Sequence, residues 1–241
     1  MESPARAQAH GPALIRLLAQ ISGTATPPPP ASLASRLAQW VDWRQAVALS
    51  AALDARPASP AVGDDSHPLG DDGECARVRA ALIRVIEGDR AFIATGVETD
   101  PPDAAFYRQR YVAMQQIMDA DIRHLRGRMR ARLTLRGGPQ ARLAAMDAVM
   151  EQALTPHERA LLGPIADLLG QHFERLRQAA QTSPDRPAPS ASTALRTSRT
   201  WLDVFRRDMQ QLLHAELELR MQPTQGLLAA LRTAPAGHHA Q

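Results

Sequence analysis

Between Tyr107 and Leu133, apolar side chains return at every third or fourth position without interruption. The stripe consists of Tyr107, Tyr111, Met114, Met118, Ile122, Leu125, Met129 and Leu133. Because an α-helix completes a turn in about 3.6 residues, this spacing places all of them on one side of a single helix. The pattern predicts a long helix from Ala104 to Leu135, started by Asp100-Pro101-Pro102-Asp103 and ended by Gly137-Gly138-Pro139.

Similar periodicity recurs through the rest of the chain. Aromatic residues make up only 4% of it, so the core must be built from Leu, Ala, Val, Ile and Met, which suit helix-on-helix packing. No segment shows the alternation of a half-buried strand. We expect further helices over residues 12–21, 32–53, 74–95, 139–154, 155–180 and 195–221, with a short final turn to Arg232. The sequence therefore predicts an all-α protein, a helical bundle of about six principal helices with Pro-rich linkers.

Stretches rich in Pro, Gly and Ser divide the chain, and the run from Pro27 to Pro30 cannot lie within a helix. The predicted segments are 1–30, a flexible N-terminal segment with a short helix; 31–53, an N-terminal helix; 54–73, an acidic Pro/Gly/Ser linker; 74–181, a central helical core; 182–194, a Pro/Ser/Ala linker; 195–232, the C-terminal helices; and 233–241, a disordered tail. The acidic cluster lacks the spacing of a calcium loop, so we expect it to be solvated linker. Its members are Asp64, Asp65, Asp71, Asp72 and Glu74.

Two proline-containing patterns predict helix ends. In Thr155-Pro156-His157-Glu158, Thr155 can cap a helix, with Pro156 at its first position and Glu158 completing a capping box. We expect Gly163-Pro164 to kink or break that helix, and Pro223 to end the helix that begins near Leu195.

Trp40 and Trp43 lie three residues apart in the predicted helix of segment 31–53, with Ser32 as its cap. On a helix, only one of the two can point fully inward. The other tryptophan is therefore predicted to lie at an interface.

No catalytic template fits the chain, which contains no Gly-rich phosphate loop, no HExxH and no G-x-S-x-G. The single cysteine, Cys75, rules out an intramolecular disulfide and CxxC zinc sites, and its acidic neighbours oppose a reactive thiolate. We expect no enzyme, no catalytic or metal-binding residues and no cofactor.

The segment Ala13–Ile21 carries Arg16 and is too short to span a bilayer, so we expect a cytoplasmic protein without a transmembrane segment.

Arginine supplies all 28 basic residues, with a net charge of +3. Six arginines and no acidic residue lie between Ile122 and Arg136. Their stems could pack over the core edge while they pair with carboxylates of neighbouring helices. Alternatively, the face could bind nucleic acid, an acidic protein or a lipid surface. The candidate partner or nucleic-acid binding residues are Arg108, Arg123, Arg126, Arg128 and Arg130.

Three segments resemble a family of helical proteobacterial proteins, a domain of unknown function of about this length. They read YVAMQQIMDADIRHLRGRMRARL, TPHERALLGPIADLLGQHFERLR and WLDVFRRDMQQLLHAELELRMQPTQGLLAALR, and the resemblance covers residues 74–232. The genes of that family lie beside a MotA-like proton-channel protein and an OmpA-like peptidoglycan-binding protein, an arrangement similar to a Zorya anti-phage defence system. The resemblance implies a cytoplasmic accessory or effector subunit of an ion-driven membrane complex, with these proteins as partners. Because no catalytic template fits, we expect this subunit to be a non-enzymatic interaction protein. The resemblance implies no residue roles.

Overall fold

The computed structural model describes residues 13–23, 40–54, 70–93, 102–182 and 191–233, with backbone alone for residues 191–199. Seven helices lie in these ranges: α1 (Ala13–Ser22), α2 (Trp43–Asp54), α3 (Gly70–Glu87), α4 (Ala104–Arg136), α5 (Gly138–Leu162), α6 (Ile165–Thr182) and α7 (Ala191–Arg232). None of the described residues forms a strand, which confirms the all-α prediction. Several predicted features lie outside the described residues: the run Pro27 to Pro30, the cap at Ser32, Asp64, Asp65 and the tail from residue 234.

The chain divides into two units, which are described separately here. Unit 1 comprises Met1–Pro28, Leu82–Ile117 and Gly163–Leu219. Unit 2 comprises Pro29–Ala81, Met118–Leu162 and Arg220–Gln241. Each unit therefore combines segments that are far apart in sequence.

The long helix α4 agrees with the stripe that predicted it. All eight stripe residues are 0 to 6% exposed. The Asp103 carboxylate caps the helix by accepting a hydrogen bond of 2.9 Å from the backbone N–H of Phe106. At the other end, Gly137 and Gly138 adopt φ angles of 69° and 53°, and a left-handed conformation of this kind ends a helix at little cost only in glycine. The predicted start and end of α4 are therefore confirmed.

An aromatic cluster forms the centre of unit 1. Phe205 packs edge-to-face on Tyr107 and on Phe173, with ring centroids 5.1 Å apart in both pairs, and Phe173 packs similarly on Trp201 at 5.0 Å. Such pairs contribute about 1 kcal/mol each beyond the burial of their area. These contacts join α4, α6 and α7.

Two further features complete unit 1. Helix α1 packs on α6, where the Arg175 guanidinium donates to the last carbonyls of α1, at Ile21 and Ser22. Between α4 and α7, the buried carboxylate of Glu216 accepts hydrogen bonds from the Tyr111 hydroxyl at 2.8 Å and the Gln115 amide at 3.1 Å. These donors reduce the cost of placing a carboxylate in the core.

In unit 2, helix α2 packs against α5. A reciprocal capping box starts α2: the Gln45 backbone N–H donates to the Asp42 carboxylate at 2.8 Å, and the Asp42 N–H donates to the Gln45 side chain at 2.9 Å. Just before α2, the Trp40 ring stacks on the His157 ring of α5, with centroids 5.2 Å apart. The cap and the stack together hold the start of α2 against α5.

The predicted cap at Thr155 is wrong. Thr155 and Pro156 lie inside α5, and the Thr155 hydroxyl donates to the Glu151 carbonyl at 2.7 Å instead of accepting from a helix N-terminus. Pro156 has no N–H to donate to the carbonyl of Gln152, four residues earlier in the helix. Gln152 is exposed, so water can bind that carbonyl instead. The buried residues Ala153 and Leu162, on either side of Pro156, keep the helix packed. The predicted break at Gly163-Pro164 is confirmed, since α5 ends at Leu162.

The predicted end at Pro223 is also wrong, because α7 continues to Arg232. Met221 before the proline and Leu227 and Leu228 after it are buried, and this burial outweighs one lost hydrogen bond. Two helix starts also differ from expectation. Helix α3 begins at Gly70, inside the predicted linker 54–73, and α7 begins at Ala191, inside the predicted linker 182–194.

Candidate interaction surface

Two arginines of α4 bind two carboxylates of α5, and these four residues form the α5 ion-pair cluster (Arg126, Arg130, Asp147 and Glu151). Arg126 donates to Asp147 from Nε at 2.9 Å and from Nη2 at 2.6 Å, while Arg130 donates to Asp147 at 3.0 Å and also to Glu151. All four side chains are only 12 to 19% exposed. Burial opposes the charge on Arg130, but the hydrogen bonds and attraction of the two carboxylates outweigh it and raise the pKa of its guanidinium.

Two more arginines of α4 bind α3, in the α3 ion-pair cluster (Arg128, Arg132, Asp71 and Glu74). Arg128 and Arg132 each donate to Glu74 at 2.5 Å, and Arg132 also binds Asp71. The Glu74 side chain is only 3% exposed, and this burial by itself would raise the pKa of its carboxyl group. The hydrogen bonds from Arg132 and Arg128 outweigh the burial, so the pKa lies below its usual value.

The expectation that the acidic cluster is solvated linker is wrong for Asp71 and Glu74, whereas Asp72 lies in α3 but keeps a side chain that is 61% exposed. Asp71 and Glu74 belong to the α3 ion-pair cluster, and the Arg232 guanidinium binds Asp72. The sequence contained a signal for these contacts. Asp71 and Glu74 are three residues apart and Arg128 and Arg132 are four apart, so each pair shares one face of its helix. Asp147 and Glu151 are also four residues apart, as are Arg126 and Arg130, so each of these pairs likewise shares one face of its helix.

The remaining two candidate arginines form more exposed ion pairs. Arg123 binds Asp119 one turn earlier on α4, with the two side chains 43% and 33% exposed. In unit 1, Arg108 binds Asp167 of α6, and its stem lies over Gly170. All five candidate arginines thus contact carboxylates of the protein itself: four bind neighbouring helices, as the structural alternative predicted, and Arg123 binds its own helix. Their role in binding a partner or nucleic acid stays a prediction.

An exposed apolar surface lies on α2. Trp43 is 80% exposed, Val47 one turn later is 47% exposed, and Arg44 beside them is also exposed. We call these three residues the Trp43 surface. Trp40 stacks on His157 and lies before the start of α2, so the two tryptophans do not share one helix as predicted, and Trp43 alone faces solvent.

The single cysteine of the chain is buried. Burial raises the pKa of the Cys75 thiol, and Asp72 and Glu74 raise it further, so the thiol stays protonated at neutral pH. Among the described residues, no group of three or more His, Cys, Asp or Glu side chains could hold a metal ion. In the same part of the chain, no helix is both long and apolar enough to cross a membrane.

Fold and surface together define an all-α protein whose five candidate arginines on α4 bind its own carboxylates, with a largely exposed tryptophan on α2. The chain belongs to the family described as "Protein of unknown function (DUF3348)", which matches residues 1–233. No curated protein and no solved structure shows detectable similarity to it.

Proposed function

We propose that this protein is a non-enzymatic interaction subunit that acts from the cytoplasmic side of a membrane-associated, ion-driven anti-phage defence complex. The observation that supports an interaction role is the 80% exposure of Trp43 on a helix whose start is held against α5. The resemblance of residues 74–232 to proteins encoded beside MotA-like and OmpA-like partners supports the choice of complex.

An exposed tryptophan beside an aliphatic residue and an arginine is typical of the centre of a protein interface. Tryptophan and arginine are the residues whose truncation most often costs about 2 kcal/mol or more of binding energy. The indole buries a large apolar area on binding and keeps an N–H donor for a polar partner. Because α2 is anchored by its cap and by the Trp40 stack, little ordering of the backbone is needed when a partner binds.

Co-purification from the native host tests this proposal. Trp43→Ala in the full chain should abolish recovery of the MotA-like and OmpA-like proteins and reduce protection against phage in a plating assay. Leu161→Ala is the matched control, since Leu161 is also in unit 2 and 62% exposed but belongs to α5. Undiminished recovery and protection with Trp43→Ala, or an equal loss with both variants, would contradict the proposal.

Nucleic-acid binding by Arg108, Arg123, Arg126, Arg128 and Arg130 is the alternative function, and the geometry supports it less well. Each of these guanidinium groups already binds a carboxylate, so a phosphate contact would first have to displace an internal partner. A salt titration with duplex DNA separates the two functions. Binding that weakens steeply with salt, with a slope that falls by about one unit for each arginine removed, would support the alternative.

A further inference from the structure

Helix α1 is docked on unit 1 and takes little part in its core. Of its ten residues, only Leu14 and Ile21 are buried, at 4% and 2% exposure. These two lie seven residues apart and therefore share one face of the helix. The aromatic cluster at the centre of unit 1 joins α4, α6 and α7, and α1 contributes no ring to it. The centre of unit 1 is thus built without α1.

The C-terminal end of α1 is held by one side chain of α6. The Arg175 guanidinium donates to the carbonyl oxygen of Ile21 and, at 3.2 Å, to that of Ser22, two groups of a last turn that has no N–H partners within the helix. Gly23 follows with a φ of 69°, and a Cβ there would lie 3.1 Å from the same guanidinium. A cation at this end also stabilises the helix dipole. The site on α6 therefore recognises a helix end followed by glycine.

The size of α1 makes its attachment weak. An isolated helix of ten residues is marginal in water, so α1 depends on its contact with α6 to stay helical. Docking orders all ten residues but removes only two side chains from water, so much of the gain from burial is offset by lost entropy. Elements with few buried apolar contacts open locally while the rest of the protein stays folded. Opening of α1 exposes the Arg175 guanidinium and the surface of α6 beneath it.

We propose that α1 is an exchangeable helix: it leaves α6 without unfolding unit 1, and the site that it vacates binds the α1 of a second copy of this chain. The second copy is the occupant because the structure shows how α1 fits this site. Residues 24–39 join α1 to Trp40, and sixteen residues can span about 50 Å. Exchange of an identical element keeps the native contacts and is a low-cost route to a dimer. The proposal goes beyond the proposed function and does not depend on the Trp43 surface.

Hydrogen exchange of the full chain, followed by mass spectrometry, tests whether α1 opens by itself. Protection factors in α1 should be about a hundred-fold lower than those of residues 107–117 in α4. Arg175→Ala removes two hydrogen bonds from the end of α1 and should lower its protection about ten-fold further, without a change in α4. Arg177→Ala is the matched control, because Arg177 lies on the same helix but pairs with Glu174. Equal protection of α1 and α4, or equal effects of the two variants, would overturn the proposal.

Complementary variants test the exchange between copies. Ile21→Asp damages α1 and leaves the site on α6 intact, whereas Arg175→Glu damages the site and leaves α1 intact. Light scattering after size-exclusion chromatography should find each variant monomeric alone and a heterodimer when the two are mixed, because the α1 of one chain then occupies the site of the other. Ile15→Asp is the matched control for Ile21→Asp, since Ile15 is 41% exposed on the same helix. Its own α1 stays docked, so its mixture with Arg175→Glu should form far less heterodimer.

Each other outcome contradicts the proposal. Absence of a heterodimer from Ile21→Asp and Arg175→Glu would show that the vacated site does not bind a second α1. Equal heterodimer formation with Ile15→Asp would place the contact on another surface. Circular dichroism should show that Ile21→Asp keeps the helix content of the natural protein outside α1. Unfolding of the whole chain in this variant would show that α1 belongs to the core.

Discussion

Arg126 donates two parallel hydrogen bonds to Asp147, 2.9 Å from Nε to Oδ2 and 2.6 Å from Nη2 to Oδ1. This is the geometry that a planar guanidinium offers to a carboxylate and that a lysine could not reproduce. The two side chains are only 14% and 12% exposed, so water cannot readily replace either partner. The pair therefore joins α4 to α5 as a structural contact.

Removal of the Asp147 carboxylate should destabilise the protein strongly. In Asp147→Ala, the charges of Arg126 and Arg130 stay nearly buried with one acceptor fewer, and the free energy of unfolding should fall by about 3 kcal/mol. Urea denaturation followed by circular dichroism measures the loss. Asp121→Ala is the control, because Asp121 is exposed on α4 and its loss should cost about 0.5 kcal/mol or less. Similar losses in both variants would show that the α5 ion-pair cluster does not stabilise the fold.

Glu74 should make stability depend on pH in the acid range. Its pKa in the folded protein lies below the usual value of 4.5, so the unfolded chain binds a proton at a higher pH than the folded one does. The resulting stabilisation is present above about pH 4.5 and is lost as the pH falls through the folded pKa. Thermal melting at neutral pH and at successively lower pH should therefore show a steeper fall for the natural protein than for Glu74→Gln. Parallel curves would contradict this role of Glu74.

The two predicted helix caps should respond oppositely to alanine. Asp103→Ala removes the carboxylate that accepts from Phe106 N–H and should cost about 1 kcal/mol. Thr155→Ala should leave the free energy of unfolding unchanged or raise it by about 0.5 kcal/mol, because Thr155 lies inside α5, where alanine has the higher helix propensity. Denaturation midpoints of the two variants test both statements. A loss of about 1 kcal/mol in Thr155→Ala would restore Thr155 as a cap.

Gly127→Ala should stabilise the protein by about 1 kcal/mol, because alanine favours a helix interior. Among the described residues, leaving aside the local helix backbone, the nearest neighbour of the added methyl group would be the Arg130 guanidinium at 3.9 Å. Gly23→Ala is the opposite case. Its φ of 69° is left-handed, and the methyl group would lie 3.1 Å from the Arg175 guanidinium, so stability should fall. Melting temperatures that move in the same direction for both variants would contradict the argument.

The sequence by itself determined the elements whose signals are local. The stripe from Tyr107 to Leu133 predicted α4 and its buried face, because helical periodicity is a property of residues only three or four positions apart. Asp103 and Gly137-Gly138 marked its ends for the same reason.

Tertiary structure decided where local signals competed with packing. Pro156 and Pro223 are strong helix-breaking signals, yet α5 and α7 pass through both, since the buried residues around each proline outweigh one missing hydrogen bond. Residue spacing grouped these arginines and carboxylates by helix face but did not pair them, because Glu74 and Arg128 are 54 residues apart and meet only when α3 packs on α4. Periodicity shows which side of a helix is apolar, but only the packed helices show which carboxylates meet each guanidinium and how much of its charge still faces solvent.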